Sequence, residues 1–170
     1  MIVETVAKLT GGRDTISTNP GTPPVIKIAA SIACANWRHL EEDIRALERG
    51  GIDLLHSDVV DGEFARTFIM GPPIISAIRG ITRVPFDIHL AAYNPEKHLE
   101  QFVEAGGDII SVHIEACSDL KHTVRMIRKL GARASVAFKP DTPLSLPKLE
   151  PVLEDIDMVL LMTVNPGFAG

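Results

Sequence analysis

Residues 48–62 read ERGGIDLLHSDVVDG and decide the fold, because they join the end of one predicted helix to a buried strand. The pair Gly50-Gly51 is typical of a helix C-terminus, and the short apolar run that follows is typical of a strand. Residues 104–108 read EAGGD, repeat that junction, and again lead into an apolar strand that carries a histidine. Gly50 and Gly106 lie 56 positions apart, or two units of 28. A repeat of about 25–28 residues favours a (β/α) barrel over a solenoid built on leucine or asparagine ladders.

Strands and amphipathic helices alternate along the rest of the chain. Six strands are predicted, at about residues 25–29, 53–59, 86–90, 109–114, 134–138 and 158–164. Successive strand–helix–strand units are right-handed and build a parallel sheet. We therefore expect an α/β fold, a (β/α)8 TIM barrel. Because a complete barrel takes about 250 residues, this chain of 170 residues is expected to carry only the first six β/α units.

Residues 1–24 differ from the rest of the chain in composition. They contain two clusters of turn-forming residues, at positions 10–14 and 18–24, and little that could pack in a core. We predict a flexible N-terminal extension over residues 1–24 and a barrel domain over residues 25–170 that is truncated at its C-terminus.

The composition narrows the class of protein. Lys and Arg total 17 against 22 Asp and Glu, which gives a net charge of −5 and argues against broad binding to nucleic acid or to an anionic membrane. The two cysteines, Cys34 and Cys117, are too few for a disulfide framework. Neither a signal-peptide pattern nor a run long enough to cross a bilayer is found. The sequence therefore predicts a cytoplasmic protein with no nucleic-acid or membrane partner.

Three candidate metal ligands lie at the carboxyl ends of predicted strands, where barrels of this kind carry their chemistry. His56 and Asp58 are two positions apart on the second strand and point to the same face. His89 ends the third strand. Two imidazoles and a carboxylate suit a divalent metal such as zinc, iron or manganese. Two hydrogen-bonded histidines and a capping aspartate would give the same pattern, so the spacing alone leaves both interpretations open.

Other polar residues at strand ends are candidates for different roles. Ser31, after the first strand, could donate a hydrogen bond to a substrate, and Lys139 could form a Schiff base. His113 ends the fourth strand, where a structural, hydrogen-bonded histidine is the favoured interpretation. Residues 167–170 form a turn whose backbone N–H groups could bind an anion. The remaining histidines lie in helical stretches and are expected to be solvated: His39, His98 and His122.

Five short segments of the chain stand out together. They are residues 27–32 (KIAASI), 56–62 (HSDVVDG), 86–90 (FDIHL), 112–116 (VHIEA) and 164–170 (VNPGFAG). In order and content they resemble the ribulose-phosphate 3-epimerase family. The resemblance is collinear from about residue 25 to the end, and the combination is more specific than any one segment.

The resemblance implies a TIM-barrel isomerase, a metal-dependent 3-epimerase that interconverts D-ribulose 5-phosphate and D-xylulose 5-phosphate in pentose phosphate metabolism. It assigns one divalent metal ion, zinc, iron, manganese or cobalt, to His56, Asp58 and His89, and proton abstraction at C3, through an enediolate, to the catalytic Asp58. It assigns substrate binding to a further set: Ser31, His89, Gly167, Phe168, Ala169 and Gly170. A sugar phosphate is then the small-molecule partner, and a homo-oligomer is expected. The family's second catalytic aspartate would lie on a seventh strand, after Gly170.

Departures from the family pattern leave the substrate open. The family usually has methionine where this chain has Val60 and Ala91, so the cavity over the substrate is expected to be wider or differently shaped. Residues 63–67, EFART, replace the family's HFVPN and add Arg66 near the mouth. The alternatives are a 3-epimerase of another ketose phosphate such as allulose 6-phosphate, an aldolase or decarboxylase that uses Lys139, or an inactive truncated paralogue.

Overall fold

The computed structural model describes residues 6–7, 26–144 and 146–167. These residues form eight strands: β1 (Val6–Ala7), β2 (Ala29–Ser31), β3 (Leu54–Asp61), β4 (Phe68–Ile69), β5 (Phe86–Ala91), β6 (Ile109–His113), β7 (Arg133–Phe138) and β8 (Met158–Leu161). Strands β2, β3, β5, β6, β7 and β8 are parallel and adjacent in that order. The sheet curls as part of a barrel with helices between its strands, which confirms the predicted (β/α) architecture.

Two short strands pair antiparallel with this sheet. β4 follows β3 after a short loop and pairs with the end of β3. β1 pairs with the outer edge of β8. β1 falls within the predicted N-terminal extension, and the rest of that extension lies outside the described residues.

The helices follow the strands in the predicted alternation. They are α1 (Leu40–Arg49), α2 (Pro72–Arg79), α3 (Leu99–Glu104), α4 (Leu120–Lys129) and α5 (Leu146–Leu149), with 3-10 turns at Ile32–Cys34, Pro95–Lys97 and Glu150–Val152. α2 begins with two prolines, which the first helical turn tolerates because its N–H groups have no helical partner. In the described part of the chain, no helix has the length and apolar character needed to span a membrane.

The first strand lies later than predicted. It occupies Ala29–Ser31 rather than residues 25–29, because these are the residues that align with β3. Ile26 and Ile28 are exposed instead of buried. The N–H of Ile28 donates to the Asp53 carboxylate at 2.8 Å, so a side chain replaces the strand partner at this point.

The first helix also begins later than predicted. The helical spacing of Trp37, Leu40, Ile44 and Leu47 predicts a helix with Asn36 as its N-cap, but the helix starts at Leu40. The Asn36 side chain accepts a hydrogen bond from the N–H of Arg38 at 3.2 Å, which stabilises a turn before the helix. Trp37 lies in that turn and is exposed, whereas the helical spacing predicted a buried position.

Alternation along the strands separates two faces of the sheet. The face toward the helices forms the main core, which includes Leu55, Phe86, Ile88, Leu90, Ile110, Val112, Val136 and Phe138 from strands and Ile44, Ile75, Ile78, Val124 and Ile127 from helices. The inner face has an apolar cluster near the start of the strands, Ala29, Leu54, Ile109 and Met158. A second cluster lies near their ends, Val60, Phe64, Ala91 and Ala116. Buried polar residues occupy the inner-face positions between them: His56, Asp87, His89, Ser111, His113 and Ser135.

Aspartates at the start of three strands fix the register of the sheet. Each carboxylate accepts the backbone N–H of a residue at the start of the preceding strand. The contacts are Asp53 to Ile28 at 2.8 Å, Asp108 to Phe86 at 2.7 Å and Asp157 to Ala134 at 3.0 Å. Asp108 also pairs with Arg79 of α2 at 2.7 Å. The repeated junction in the sequence, which ends on an aspartate, therefore encodes a repeated contact between strands.

Replacing Asp108 by alanine should lower the free energy of unfolding by about 1–2 kcal/mol, since it leaves the N–H of Phe86 unpaired and removes the carboxylate partner of Arg79. Urea denaturation with an unchanged slope measures the effect. The exposed Glu154 provides a matched control, and Glu154→Ala should change the same quantity by less than about 0.5 kcal/mol. Equal effects of the two substitutions would contradict a register role for Asp108.

Candidate active site

Adjacent parallel strands bring the three predicted metal ligands together. β3 carries His56 and Asp58, β5 carries His89, and the register aligns Asp58 with His89. His89 Nδ1 lies 2.9 Å and His56 Nε2 lies 3.4 Å from the same oxygen, Asp58 Oδ1. One ligand atom from each residue lies within 4.8 Å of the others. The three side chains could therefore hold a metal ion.

The donor set fits a divalent metal. Imidazole nitrogen and carboxylate oxygen are ligands that zinc and its first-row neighbours accept. His56 and His89 are buried, and the Asp58 side chain is 24% exposed. Three protein ligands leave coordination positions open, which is typical of catalytic sites and not of closed structural ones.

A buried carboxylate orients His56 from behind. Asp87 Oδ2 lies 2.9 Å from His56 Nδ1 and accepts its hydrogen bond, while Asp87 Oδ1 accepts the hydroxyl of Ser111 at 2.8 Å. Metal-binding histidines commonly have a carboxylate on their second ring nitrogen, which fixes the tautomer and the direction of the ring. With its Nδ1 proton committed to Asp87, His56 turns its Nε2 toward Asp58.

The second nitrogen of His89 also has a partner. His89 Nε2 lies 2.9 Å from His113 Nε2, and His113 Nδ1 lies 2.9 Å from Glu115 Oε2. Glu115 Oε1 accepts the backbone N–H of Lys139 at 2.9 Å. His113 is thus the buried, hydrogen-bonded histidine that the sequence predicts, with partners that the spacing did not reveal.

Asp58 is a mostly buried carboxylate between two imidazoles. Burial alone would raise its pKa, but hydrogen bonds and electrostatic attraction from His56 and His89 outweigh burial and hold the pKa well below its usual range. Asp58 is therefore ionised at neutral pH, as a metal ligand or a general base must be.

Ser31 ends β2 beside His56, with which it is aligned in the sheet. Its hydroxyl oxygen is buried and has no hydrogen-bond partner among the described residues. An unpaired buried hydroxyl is costly, so a ligand that bonds to it would stabilise this position. The substrate contact predicted for Ser31 stays a prediction.

The turn after β8 lies against the loop that follows β3. Gly167 has a φ of 85°, and a Cβ at this position would lie 2.7 Å from Thr67 Cγ2 and 3.3 Å from Ala65 Cβ. Glycine suits both the left-handed backbone and the close approach. Two loops at the carboxyl end of the barrel therefore meet here. The other residues predicted to bind substrate in this turn lie outside the described residues: Phe168, Ala169 and Gly170.

Lys139, the Schiff-base alternative, has an aromatic partner. Its Nζ lies 3.7 Å from the centroid of the Phe64 ring, which is a cation–π contact. The Phe64 ring packs in turn on His113, with 4.6 Å between ring centroids. These contacts give Lys139 a packing role and do not favour the Schiff-base alternative.

The histidines predicted to be solvated lie away from this cluster. His39 and His122 are exposed, as predicted. His98 is half-buried, with Nδ1 3.0 Å from the Gln101 side-chain nitrogen. His98 is therefore less solvated than the sequence predicts.

The residues that support the three candidate metal ligands were not predicted. Asp87, Ser111 and Glu115 each hold a histidine or another carboxylate of the site in place. A signal was available, since Asp87 precedes His89 by two positions and Ser111 precedes His113 by two, which puts each pair on one strand face. The alternation does not say which residue of a neighbouring strand lies opposite, because register depends on the whole sheet.

Comparison with known proteins identifies relatives over nearly the whole described barrel. A family model described as the ribulose-phosphate 3 epimerase family matches residues 27–170. A ribulose-phosphate 3-epimerase of Bacillus subtilis is 44% identical over 146 residues, which are 86% of this chain and 66% of the relative. A chloroplastic ribulose-5-phosphate-3-epimerase of Arabidopsis thaliana is 44% identical over 85% of this chain and 52% of its own length. The ribulose-phosphate 3-epimerase of Aquifex aeolicus is 46% identical over 84% of this chain and 64% of its own. The chain therefore spans about two thirds or less of the length of these relatives.

A solved structure shows the same fold. The alpha subunit of tryptophan synthase from Legionella pneumophila matches 73% of this chain and 55% of its own, with a TM-score of 0.50 and 14% sequence identity. At that identity the likeness concerns the fold alone.

Gly167→Ala should lower the free energy of unfolding by about 2 kcal/mol, because it places a Cβ at positive φ and against Thr67. Thr67→Ser removes the nearest atom, Cγ2, and should recover the steric part while leaving the backbone cost of about 1 kcal/mol. A double-mutant cycle from urea denaturation measures the coupling between the two positions. Strictly additive effects would contradict the contact between the two loops.

Proposed function

We propose a function for this chain from one fact: it belongs to the ribulose-phosphate 3-epimerase family. The function is metal-dependent 3-epimerisation of a ketose phosphate, the interconversion of D-ribulose 5-phosphate and D-xylulose 5-phosphate. The observation that carries the proposal is the convergence of His56, Asp58 and His89 on one point at the carboxyl end of two adjacent strands. Active sites of (β/α) barrels lie at this end.

Asp58 is the residue we assign to proton transfer. Inversion at C3, which lies next to the C2 ketone, requires removal of the C3 proton on one face and delivery of a proton by an acid on the opposite face. Removal leaves an enediolate. Both histidines contact Asp58 Oδ1, so Oδ2 is the oxygen we assign to accept the proton as general base.

His56, Asp58 and His89 are the residues we assign to one divalent metal ion, which is zinc, iron, manganese or cobalt. When bound, such an ion supplies Lewis-acid stabilisation of the negative charge on the enediolate. The chain itself supplies the orientation of the ligands. Asp87 fixes the His56 ring, and the parallel register sets His89 opposite Asp58.

The residues that we assign to substrate binding lie at the same end of the barrel. We assign to Ser31 a hydrogen bond to the substrate, which its buried hydroxyl supports. We assign to His89 a substrate contact besides its metal bond, and to residues 167–170 an anion contact through backbone N–H groups. Val60 and Ala91 pack with Phe64 near the strand ends, and these short side chains keep another ketose phosphate, such as allulose 6-phosphate, as the alternative substrate.

We propose that the protein acts in the cytoplasm as a homo-oligomer, with a sugar phosphate as its small-molecule partner. Both cysteines, Cys34 and Cys117, are free, which suits a reducing compartment. The location of relatives varies, since the Arabidopsis thaliana protein is chloroplastic.

The experiment that tests the function is proton exchange at C3 of D-ribulose 5-phosphate in D2O, followed by NMR. Chelated protein should give no deuterium at C3, and restored metal should give it. Epimer formation is scored separately, because it needs an acid on the opposite face as well. Metal-independent exchange, or none in a folded protein that binds metal, would refute the proposal for this substrate.

Asp58→Asn should slow C3 exchange by about 10²–10⁴-fold, since an amide cannot act as general base. The measurement is the initial rate of deuterium incorporation at saturating substrate. Glu154→Gln, an isosteric change on the exposed surface, serves as control and should leave the rate unchanged. A rate for Asp58→Asn within twofold of wild type would exclude Asp58 as the base.

A divalent metal should stabilise the folded protein through the same three side chains. At a free concentration 100 times the dissociation constant, zinc should add about 2.7 kcal/mol to the free energy of unfolding. His56→Ala should abolish most of this gain, whereas His122→Ala, at an exposed helical position, should retain it. Equal gains in both variants would place the metal elsewhere.

A further inference from the structure

We infer that Lys139 is a substrate-binding residue, whose ammonium group is held by the Phe64 ring at the carboxyl end of the barrel and binds the phosphate of the substrate. The inference rests on the function proposed above and deepens it, because it names a side chain that supplies positive charge to the phosphate. It does not involve the proposed metal ion.

Lys139 directly follows β7 and continues the inner face of that strand. Ser135 is a buried inner-face residue, and Ala137, two positions later, is aligned with His113 of β6. Side chains alternate between the faces of a strand, so Lys139 continues the inner face at the mouth of the barrel. There the side chain meets the loop that follows β3, a strand that β5 and β6 separate from β7. Its Nζ lies 3.7 Å from the centroid of the Phe64 ring.

The Lys139 side chain is held at both ends. Its backbone N–H donates to Glu115 Oε1 at 2.9 Å, and its ammonium lies on the Phe64 ring. That ring is only 7% exposed, and it packs edge-on against the Tyr93 ring with 5.2 Å between centroids. A ligand that binds to a side chain already held in place loses less conformational entropy on binding.

Asp61 keeps the aromatic residues in position. Its Oδ1 accepts the backbone N–H of Phe64 at 2.7 Å, and its Oδ2 accepts the backbone N–H of Tyr93 at 2.9 Å. One carboxylate therefore ties the loop after β3 to the loop after β5. The ring that carries the Lys139 ammonium is fixed by its backbone as well as by its packing.

The positive charge of Lys139 is not paired with a carboxylate in the described part of the chain. The ion pairs that lysine and arginine side chains form there involve Arg45, Arg79 and Arg128. The Asp61 carboxylate accepts backbone N–H groups instead, and Glu115 accepts His113 and the Lys139 backbone. An ammonium has three donors, and one aromatic face does not satisfy all of them. The side chain is therefore suited to an anionic ligand.

The loop that holds Lys139 also contacts the turn after β8. A Cβ at Gly167 would lie 2.7 Å from Thr67 Cγ2 and 3.3 Å from Ala65 Cβ, and Phe64 of the same loop carries the Lys139 ammonium. β7 and β8 are adjacent, so Lys139 and Gly167 follow neighbouring strands. The ammonium thus lies on the same side of the barrel as the anion contact proposed for residues 167–170. A phosphate has several acceptor oxygens and could bond to both, since lysine commonly binds phosphate as a point charge.

The first test uses the wild-type protein without metal. The Phe64 ring current moves the NMR signal of the Lys139 Cε methylene upfield, and loss of that signal in Lys139→Met assigns it. D-ribulose 5-phosphate should shift the signal, whereas D-ribulose, which lacks the phosphate, should not. An equal shift with both sugars, or no shift with the phosphate, would overturn the inference.

The second test measures the dissociation constant of D-ribulose 5-phosphate by calorimetric titration of the metal-free protein. Lys139→Met retains a stem that can pack on Phe64 and removes the charge, so the affinity should fall by about 10–100-fold, the loss expected for a hydrogen bond to a charged group. Lys139→Arg keeps a cation that binds phosphate and should retain most of the affinity. Lys121→Met, at an exposed helical position, is the matched control and should bind as wild type does.

Two results of the second test would contradict the inference. A dissociation constant for Lys139→Met within twofold of wild type would assign Lys139 a packing role alone. An equal loss of affinity in Lys139→Arg would show that the shape of the side chain matters and its charge does not. If Lys139→Met does not fold, the wild-type NMR signal, assigned through Lys139→Arg, still decides the matter.

These measurements separate the inference from the proposed function. If D-ribulose 5-phosphate shifts the Lys139 signal but no exchange at C3 is found, the proposed reaction fails and the phosphate site stands. If Lys139→Met exchanges the C3 proton with the KM of wild type, the phosphate site fails and the reaction stands.

Discussion

A carboxylate buried between two imidazoles is stable only if each of the three side chains has partners that replace water, and much of the structure follows from that requirement at Asp58. The partners come from neighbouring strands, His89 from β5 and, behind it, His113 from β6. They meet because the strands are parallel and held in register. The aspartates that directly precede β3, β6 and β8 fix that register at the opposite end of the sheet. The contacts that align the strands are thus remote from the chemistry they serve.

Most of the correct predictions about the site came from the alternation of inward and outward residues along buried strands. It placed His56 and Asp58 on one face of a strand, and the position of His89 at the end of the next predicted strand added a third candidate ligand. The same alternation could not predict that Asp87 lies behind His56 or that His113 lies behind His89, because register is a property of the whole sheet. The first strand was misplaced for a similar reason. Ile26 and Ile28 have strong strand propensity, but the alignment with β3 starts at Ala29, and tertiary pairing overrides propensity.

A small apolar cluster lies beside the three proposed metal ligands, at the carboxyl ends of the strands. Val60 and Ala91 are buried with Phe64 and Ala116, directly after Asp58 and His89 on their strands. The Phe64 ring joins this cluster to the histidines of the site, since it packs on His113 and contacts the Lys139 ammonium. A change of side-chain volume here would therefore act on two properties together, the shape of the space over the substrate and the rigidity of the histidines beneath it. The residues expected to shape the substrate cavity and those that contact the proposed metal ligands are therefore not independent in this fold.

The electrostatics of Asp58 explain why the proposed reaction depends on the metal more than on the strength of the base. The same contacts that make Asp58 tolerable in the interior hold its pKa well below the usual range, and a carboxylate of low pKa is a weak base. A weak base can take a proton from carbon only if the carbon acid is made stronger, and a Lewis acid next to the ketone does that. The contacts from His56 and His89 therefore keep Asp58 ionised in the interior, and the acidity of the C3 proton is left to the ion that we propose for this site.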